Sequence, residues 1–309
     1  MNSYDVVIVG AGPAGMACAA EARQAGLSTL VLDEQPRPGG QIFRDIEVSD
    51  EKRRALLGKD YAEGARIAEA FRASGADYVS GAVVWNIDSA RRIDYSAGGR
   101  SHSVEAKSLV AATGAIERPT PMPGWTLPGV TTVGAAQILL KTSGIVFEDL
   151  VVVGSGPLLW LAASQMITAG VPPKAIVETV PKSRYRAAAR HVLQALPGWR
   201  YLAKGLTMMR AVKRAGVPVH HDAEDIAIEG DSAATAVTFS SGSKRHRIET
   251  AHVALHQGVV PNQQMTRVMN CQHRFDESQR AFLPVLGEDF ETTVPGVFVA
   301  GDGAGIGGA

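Results

Sequence analysis

Apolar residues in this chain fall into short β-branched runs that alternate with alanine- and leucine-rich stretches. Tyr4 to Val9 is such a run and predicts a strand buried on both faces. It enters the turn Gly10-Ala11-Gly12-Pro13-Ala14-Gly15, and an alanine-rich helix is expected from Ala14 to about Ala25, stopped by Gly26. Leu27 to Leu32 predicts a second strand that closes on Asp33. These pieces make one β–turn–α–β unit of about 30 residues. A loop from Glu34 to Asp45 follows, then a polar helix capped by Asp50 and running to about Ser74. Alternating runs between Ala76 and Lys107 predict an antiparallel sheet, and Leu109 to Ala112 a short strand ending in Thr113-Gly114.

Pro119, Pro121, Pro123 and Pro128 exclude helix and central strand and read as an interdomain crossing. The first pattern then repeats. Leu150 to Val153 predicts a strand, Gly154-Ser155-Gly156-Pro157 a turn, Leu158 to Ala169 a helix stopped by Gly170, and Ala175 to Val177 a strand ending at Glu178. Two such units about 145 residues apart read as an internal duplication. Ser183 to Arg214 is helical and basic; it reads as a solvated helical pair, with a partner-docking or anion-facing surface as the other reading. Short strands follow from Val217 to Val253, and Gly296 to Ala300 is a last strand. The prediction is an α/β chain of two Rossmann-like domains, the second inserted into the first. The outer domain takes residues 1–118 and 250–309, and the inner one takes 119–249 with its helical insertion around 183–214.

Composition narrows the classes. With 45% apolar and 20% charged residues in 309, the chain is globular rather than disordered or fibrous. Lys plus Arg and Asp plus Glu are each 31, so no footprint for nucleic acid or an anionic membrane is expected. No apolar stretch reaches the length of about 18 residues that spans a bilayer. The N-terminus has no secretory pattern, and cytoplasm is the expected location. Two cysteines, Cys18 and Cys271, exclude a disulfide scaffold, a four-cysteine zinc site or a cysteine-held iron–sulfur cluster within this chain, and no metal site is expected. The 33 glycines exceed the usual share of about 7%, and much of the excess sits in the turns just described.

Those turns carry candidate chemistry. In Gly10-x-Gly12-x-x-Gly15 the first glycine permits the tight turn, the second lets a pyrophosphate approach the backbone, and the third lets helix and strand close together. Pro13 and Ala14 open the helix, whose free N–H groups face the phosphates. Asp33, eighteen residues past Gly15, suits ribose hydroxyls, with Glu34 beside it. Gly39-Gly40-Gln41 lets a loop lie against a flat or phosphate-bearing ligand, and Arg44 would offset phosphate charge. Gly301-Asp302 follows an apolar strand, where a carboxylate would bond a ribityl hydroxyl. An ordinary turn and an exposed aspartate are the competing readings for these last two motifs. His220, His221 and His256 read as solvent-facing or core-satisfied histidines, and no catalytic acid or base is nominated.

In this order the motifs resemble those of the two-dinucleotide-binding-domain flavoproteins, the family of glutathione and thioredoxin reductases. The resemblance implies FAD, with Gly10, Gly12, Gly15 and Asp33 on its ADP half and Gly301 and Asp302 on its ribityl–pyrophosphate half. It also implies that Thr113 and Gly114 mark the exit from the FAD domain and that Val84 lies beside the adenine. The phrases PGGQIFR (38–44), PGWTLPGV (123–130), GSGPLLWLAA (154–163), HQGVVPN (256–262) and PGVFVAGDGAGIGGA (295–309) are similar to one subgroup. That subgroup comprises the FAD-binding α subunits of heteromeric amine and amino-acid dehydrogenases or oxidases, such as opine oxidase, D-hydroxyproline dehydrogenase, dye-linked proline dehydrogenase and the hydrogen cyanide synthase B subunit. It implies a partner subunit with its own FAD that oxidises the substrate, and electron transfer through this chain. It also implies FMN at a partner interface and a small iron–sulfur subunit or a C-terminal cluster module. On this reading the chain breaks off at Gly307-Gly308-Ala309, before a further helix.

Two departures matter. Gly40 is followed by Gln41-Ile42-Phe43 and no Cys-x-x-Cys occurs, which disfavours disulfide reduction. In the second unit the third glycine position is Leu159. Gly154, Gly156 and Glu178 still suit a second nucleotide, NAD, ADP or ATP, and Glu178 would repel a 2′-phosphate; a ligand-free fold is the alternative. The rival functions are a stand-alone NADH-dependent oxidoreductase and a non-catalytic nucleotide-binding assembly subunit.

Overall fold

A computed structural model of the chain describes residues 2–191, 194 and 196–307. The chain forms two compact units, one running through Ile116 and resuming at Val259, the other Glu117–Gly258. In the first unit β1 (Asn2–Val9) and β2 (Thr29–Asp33) pair in parallel across α1 (Pro13–Gln24). All five residues of β2 are buried, as a β-branched strand covered on both faces requires. The expected helix from Asp50 to Ser74 is two helices, α2 (Glu51–Leu57) and α3 (Lys59–Ala73), because Gly58 between them has φ +96°. Asp50 caps the first by accepting from Arg53 N at 2.7 Å.

β3 (Asp77–Ser80) extends the sheet beyond β2, while β4 (Val83–Ile87) and β5 (Arg92–Ala97) form an antiparallel arm. The expected separate strand at Leu109 is instead the end of a twelve-residue strand, β6 (Arg100–Ala111). Its first residues pair antiparallel with β5 while it also runs parallel to β1, from Asn2 opposite Val104 to Val9 opposite Ala111. Val7, Leu32, Ile93 and Leu109 meet in the core of this unit.

After β7 (Ala115–Glu117) the proline-rich stretch runs without helix or strand to β8 (Val130–Thr132). The second unit continues with α4 (Val133–Ser143), β9 (Val151–Ser155), α5 (Pro157–Thr168) and β10 (Ala175–Glu178). The basic segment holds α6 (Lys182–Ala189) and α7 (Trp199–Arg214); Val192, Leu193 and Ala195 within it lie outside the described residues. Next come β11 (Val219–His220), an antiparallel trio β12 (Ala223–Glu229), β13 (Ala236–Ser241) and β14 (Lys244–Glu249), and then β15 (Val253–Gln257). The parallel sheet has the order β11-β10-β9-β15-β8. The sequence reading puts Val253–Gln257 in the outer domain; its ladders to β8 and β9 put it in the inner unit. Strand alternation divides the core: Val152 packs with Leu159 and Trp160, while Val151 and Val153 pack with Phe239.

The chain returns through β16 (Val259–Pro261), α8 (Gln264–Val268) and the hairpin β17 (His273–Asp276) and β18 (Ala281–Pro284). Finally β19 (Val297–Val299) joins the first sheet, parallel to β6 with Val297 opposite Leu109. Gly308 and Ala309, where the sequence reading expects the chain to break off, lie outside the described residues. Among the described residues no helix is long and apolar enough to cross a membrane, and no cluster of His, Cys, Asp and Glu could hold a metal.

Candidate functional site

The first unit brings its predicted motifs together at the C-terminal ends of β1 and β6. Gly10 has φ +104°, and a Cβ there would lie 2.3 Å from the Ala112 carbonyl oxygen. A Cβ on Gly15 would lie 1.9 Å from the Gly10 carbonyl oxygen, so only glycine lets α1 sit this close to the turn. Gly12 is the N-cap of α1 and no side chain caps the helix; Pro13 has no N–H, so the N–H groups of the first turn are left for a ligand. Gly40 (φ +60°) closes over this turn, where a Cβ would stand 2.8 Å from Gly12 Cα. A carbonyl of the turn, that of Ala11, accepts from Gly39 N at 2.8 Å. Gly301 (φ +71°) reaches the same helix start, its would-be Cβ 2.7 Å from the Ala14 Cβ, with the half-buried Asp302 next to it. Thr113 Oγ1 donates to the Asn262 carbonyl at 3.1 Å, and Asn262 N donates to the Gly114 carbonyl at 2.9 Å.

The acid at the end of β2 is more committed than its sequence position suggests. Asp33 is buried; its Oδ2 accepts from Ala11 N, and its Oδ1 accepts from Gln35 N at 2.7 Å. A carboxylate offers about four acceptor sites, so ribose hydroxyls still have lone pairs to use. Burial raises the Asp33 pKa, opposed by those two N–H groups and by the nearby Arg44 charge. Glu34 is exposed and accepts from Gln35 Nε2 at 3.1 Å, and Gln41 is exposed at the loop tip. Ala82 N donates to the Asp33 carbonyl at 2.8 Å, which brings the strand carrying Val84 alongside the acid.

Arg44 is the informative residue of the loop. It is 8% exposed, and its Nε has no hydrogen-bond partner among the described residues. Buried charged donors are normally satisfied, so an orphan of this kind suits an anionic ligand. Tyr61, which the sequence reading missed, holds the Arg44 carbonyl through its hydroxyl at 2.8 Å. Gly64 makes room for Phe43, whose ring would lie 2.4 Å from a Cβ there. No spacing signal marks either residue. An uncapped helix start, a glycine cradle and an orphaned guanidinium fit the diphosphate of a dinucleotide such as FAD.

Neither cysteine is set up as a redox thiol. Cys18 is half-buried on α1, and Cys271 is buried with its Sγ donating to Thr292 Oγ1 at 3.3 Å. Burial pushes both thiols up, away from the reactive thiolate.

The second unit reproduces the turn with changes. Gly154 has φ +139°, and a Cβ there would lie 1.7 Å from the His256 carbonyl oxygen. Gly156 (φ +99°) is the N-cap of α5, again without a side-chain cap. Leu159 is fully buried and fills the space that a third glycine would leave open. Glu178, expected to face a ribose, is 1% exposed; it accepts from the Tyr185 hydroxyl and its Oε2 lies 2.6 Å from His221 Nδ1. His220 packs among Phe239 and His246. His256 Nδ1 lies 2.5 Å from Glu117 Oε1, a pairing with no counterpart in the sequence motifs.

A family profile described as pyridine nucleotide-disulphide oxidoreductase matches residues 4–308. The chain belongs to this family of FAD-dependent oxidoreductases. The A subunit of opine oxidase from Agrobacterium tumefaciens (strain Ach5) is 43% identical over 315 residues, 99% of this chain and 62% of that protein. The HcnB subunit of hydrogen cyanide synthase from Pseudomonas aeruginosa is 33% identical over 321 residues, 98% of this chain and 67% of that one. The thioredoxin reductase of T. acidophilum superposes with a TM-score of 0.67 at 20% identity, over 100% of this chain and 92% of that one, and so shares its fold. The chain spans about 60% of the length of the opine oxidase subunits it matches. Both of the named relatives are subunits, and the family, fold class and subgroup likeness expected from the motifs hold.

Proposed function

We propose that the chain is the FAD-binding part of a multi-subunit flavin dehydrogenase or oxidase acting on an amine or amino-acid-like substrate. The observation that carries this reading is a dinucleotide cradle without a dithiol, in a chain 43% identical to one component of an opine oxidase. Gly12, Ala14, Gly40 and Arg44 would hold the diphosphate of FAD, Asp33 its ribose, and Gly301 and Asp302 its ribityl side, with Thr113 and Gly114 framing the flavin end. FAD, when bound, supplies reversible uptake of two electrons. The chain's own contribution is binding: α1 turns its positive end to the phosphates, and Arg44 neutralises charge where solvent is excluded. Substrate oxidation on a partner with its own flavin is part of the proposal. The buried, hydrogen-bonded Glu178 and the filled position at Leu159 count against direct use of NADH.

The test is to purify the full-length chain together with its partner and follow dye reduction with opines, proline, hydroxyproline and glycine. Activity with one of these amines, and slow flavin reduction by NADH, is expected. Rapid NADH-driven flavin bleaching by this chain alone, with no amine activity, would sink the proposal. A purified protein with no flavin absorbance would leave the assembly-subunit reading.

A further inference from the structure

The chain is neutral as a whole, but its charge is not spread evenly. Nine of the 31 Lys and Arg and none of the 31 Asp and Glu fall in residues 179–221, so that segment carries +9 and the remainder −9. Glu178, which precedes it, is buried and already bonded to Tyr185 and His221. Among the described residues none of Arg184, Arg186, Arg190, Arg210, Lys213 and Arg214 enters an ion pair, whereas Arg72, Arg92 and Arg247 elsewhere each have a carboxylate.

Within this segment α7 has two apolar faces. Met208, Met209 and Val212 turn inward and join the cluster that holds Trp160 and Ala163 of α5. That face holds the helix on its unit. Trp199, Leu202 and Leu206 fall at i, i+3 and i+7 and so line another face. They are 60%, 43% and 52% exposed, and Tyr201 in the same turn is 69% exposed. Arg210 and Lys213 continue the stripe toward the C-terminus and are also exposed. A helix needs one apolar face to pack on its own domain, and a second that carries an exposed Trp marks a binding surface.

The make-up of the stripe says what binds. In a helix that lies on lipid, apolar and charged side chains occupy opposite faces. Here Trp199, Leu202 and Leu206 share one face with Arg210 and Lys213, the mixture found in protein interfaces, where Trp, Tyr and Arg carry most of the energy. Two copies meeting symmetrically through this face would set +9 against +9, which opposes a dimer. The occupant is a different protein, and it brings negative charge.

We propose that the outer face of α7 docks the partner subunit, on an acidic surface with an apolar recess for Trp199. This rests on the reading of the chain as one part of a multi-subunit enzyme. The segregated charge sets the orientation: residues 179–221 attract an acidic partner and the −9 remainder repels it. Trp199, Leu202 and Leu206 then supply affinity by leaving water.

The experiment separates the full-length chain from the partner subunit of the dye-reducing complex, recombines them, and measures affinity and association rate at low and high salt. Trp199→Ala should weaken the complex about tenfold or more. Arg210→Glu combined with Lys213→Glu should slow association about tenfold at low salt, with little difference at high salt. Both variants should keep their flavin content and Tm, because the altered side chains are exposed. In the unmutated protein, hydroxyl-radical oxidation of Trp199 and Tyr201 should drop when the partner binds, a readout independent of how the variants fold. Unchanged partner affinity in Trp199→Ala, or equal oxidation of Trp199 in the free chain and the complex, overturns the proposal and leaves the subunit reading intact. Protection of Trp199 by vesicles of phosphatidylcholine and phosphatidylglycerol but not by the partner, or self-association of the chain that Trp199→Ala abolishes, also overturns it. A chain that forms no complex with a second subunit overturns both.

Discussion

Replacing Arg44 by Met should separate cofactor binding from folding. In the apoprotein the guanidinium is buried and its Nε is unpaired, so it carries a desolvation cost of about 1–3 kcal/mol. Attraction to Asp33 offsets part of that cost. Met keeps the buried stem and removes the charge, so apoprotein stability should stay within about 1 kcal/mol or rise. With FAD bound, the same group would make charge-assisted hydrogen bonds to a diphosphate worth about 1.5–3 kcal/mol. Flavin affinity should therefore fall roughly 10- to 150-fold. Arg44→Lys should lie between the two, because an ammonium restores charge without the planar fork. The assay is quenching of flavin fluorescence on titration into stripped protein, paired with thermal melts of each apoprotein. Unchanged flavin affinity in Arg44→Met refutes the assignment. An apoprotein loss above about 2 kcal/mol refutes the argument that the group is unpaired.

Gly10→Ala should give protein without flavin and with a lowered Tm, since φ +104° costs a side chain about 1–3 kcal/mol and its Cβ would strike the Ala112 carbonyl; a flavin spectrum of the purified variant checks this. Leu159→Ala should cost about 2–5 kcal/mol in urea unfolding, because the side chain is fully buried. Hydrogen bonds from Lys107 and then Ser28 hold the Asp5 carboxyl well below the usual range. Its stabilising effect is therefore present above the unfolded value of 3.8 and lost as pH falls through the folded one. Asp5→Asn should accordingly lower the Tm at neutral pH and flatten its decline in acid, and an identical acid limb in both proteins would contradict this.

Much of the site was legible because its residues are neighbours in sequence. Gly10, Gly12 and Gly15 read as a phosphate turn since each answers a constraint set within one β–α step. The break at Gly58 was not read, because its positive φ is invisible in a pattern of polar residues. The place of Val253–Gln257 was misread for a different reason: an apolar strand carries no mark of which sheet it joins.

By itself the sequence determined the two β–α–β units, the missing dithiol and the leucine in place of a third glycine. These are local properties of turns and compositions. Only the tertiary structure decided that the Arg44 Nε has no hydrogen-bond partner among the described residues, that Glu178 is spent on Tyr185 and His221, and that Glu117 braces His256 from 139 residues away. Whether a charged group is free or satisfied depends on what the fold brings within about 3 Å of it, and spacing along the chain does not encode that distance.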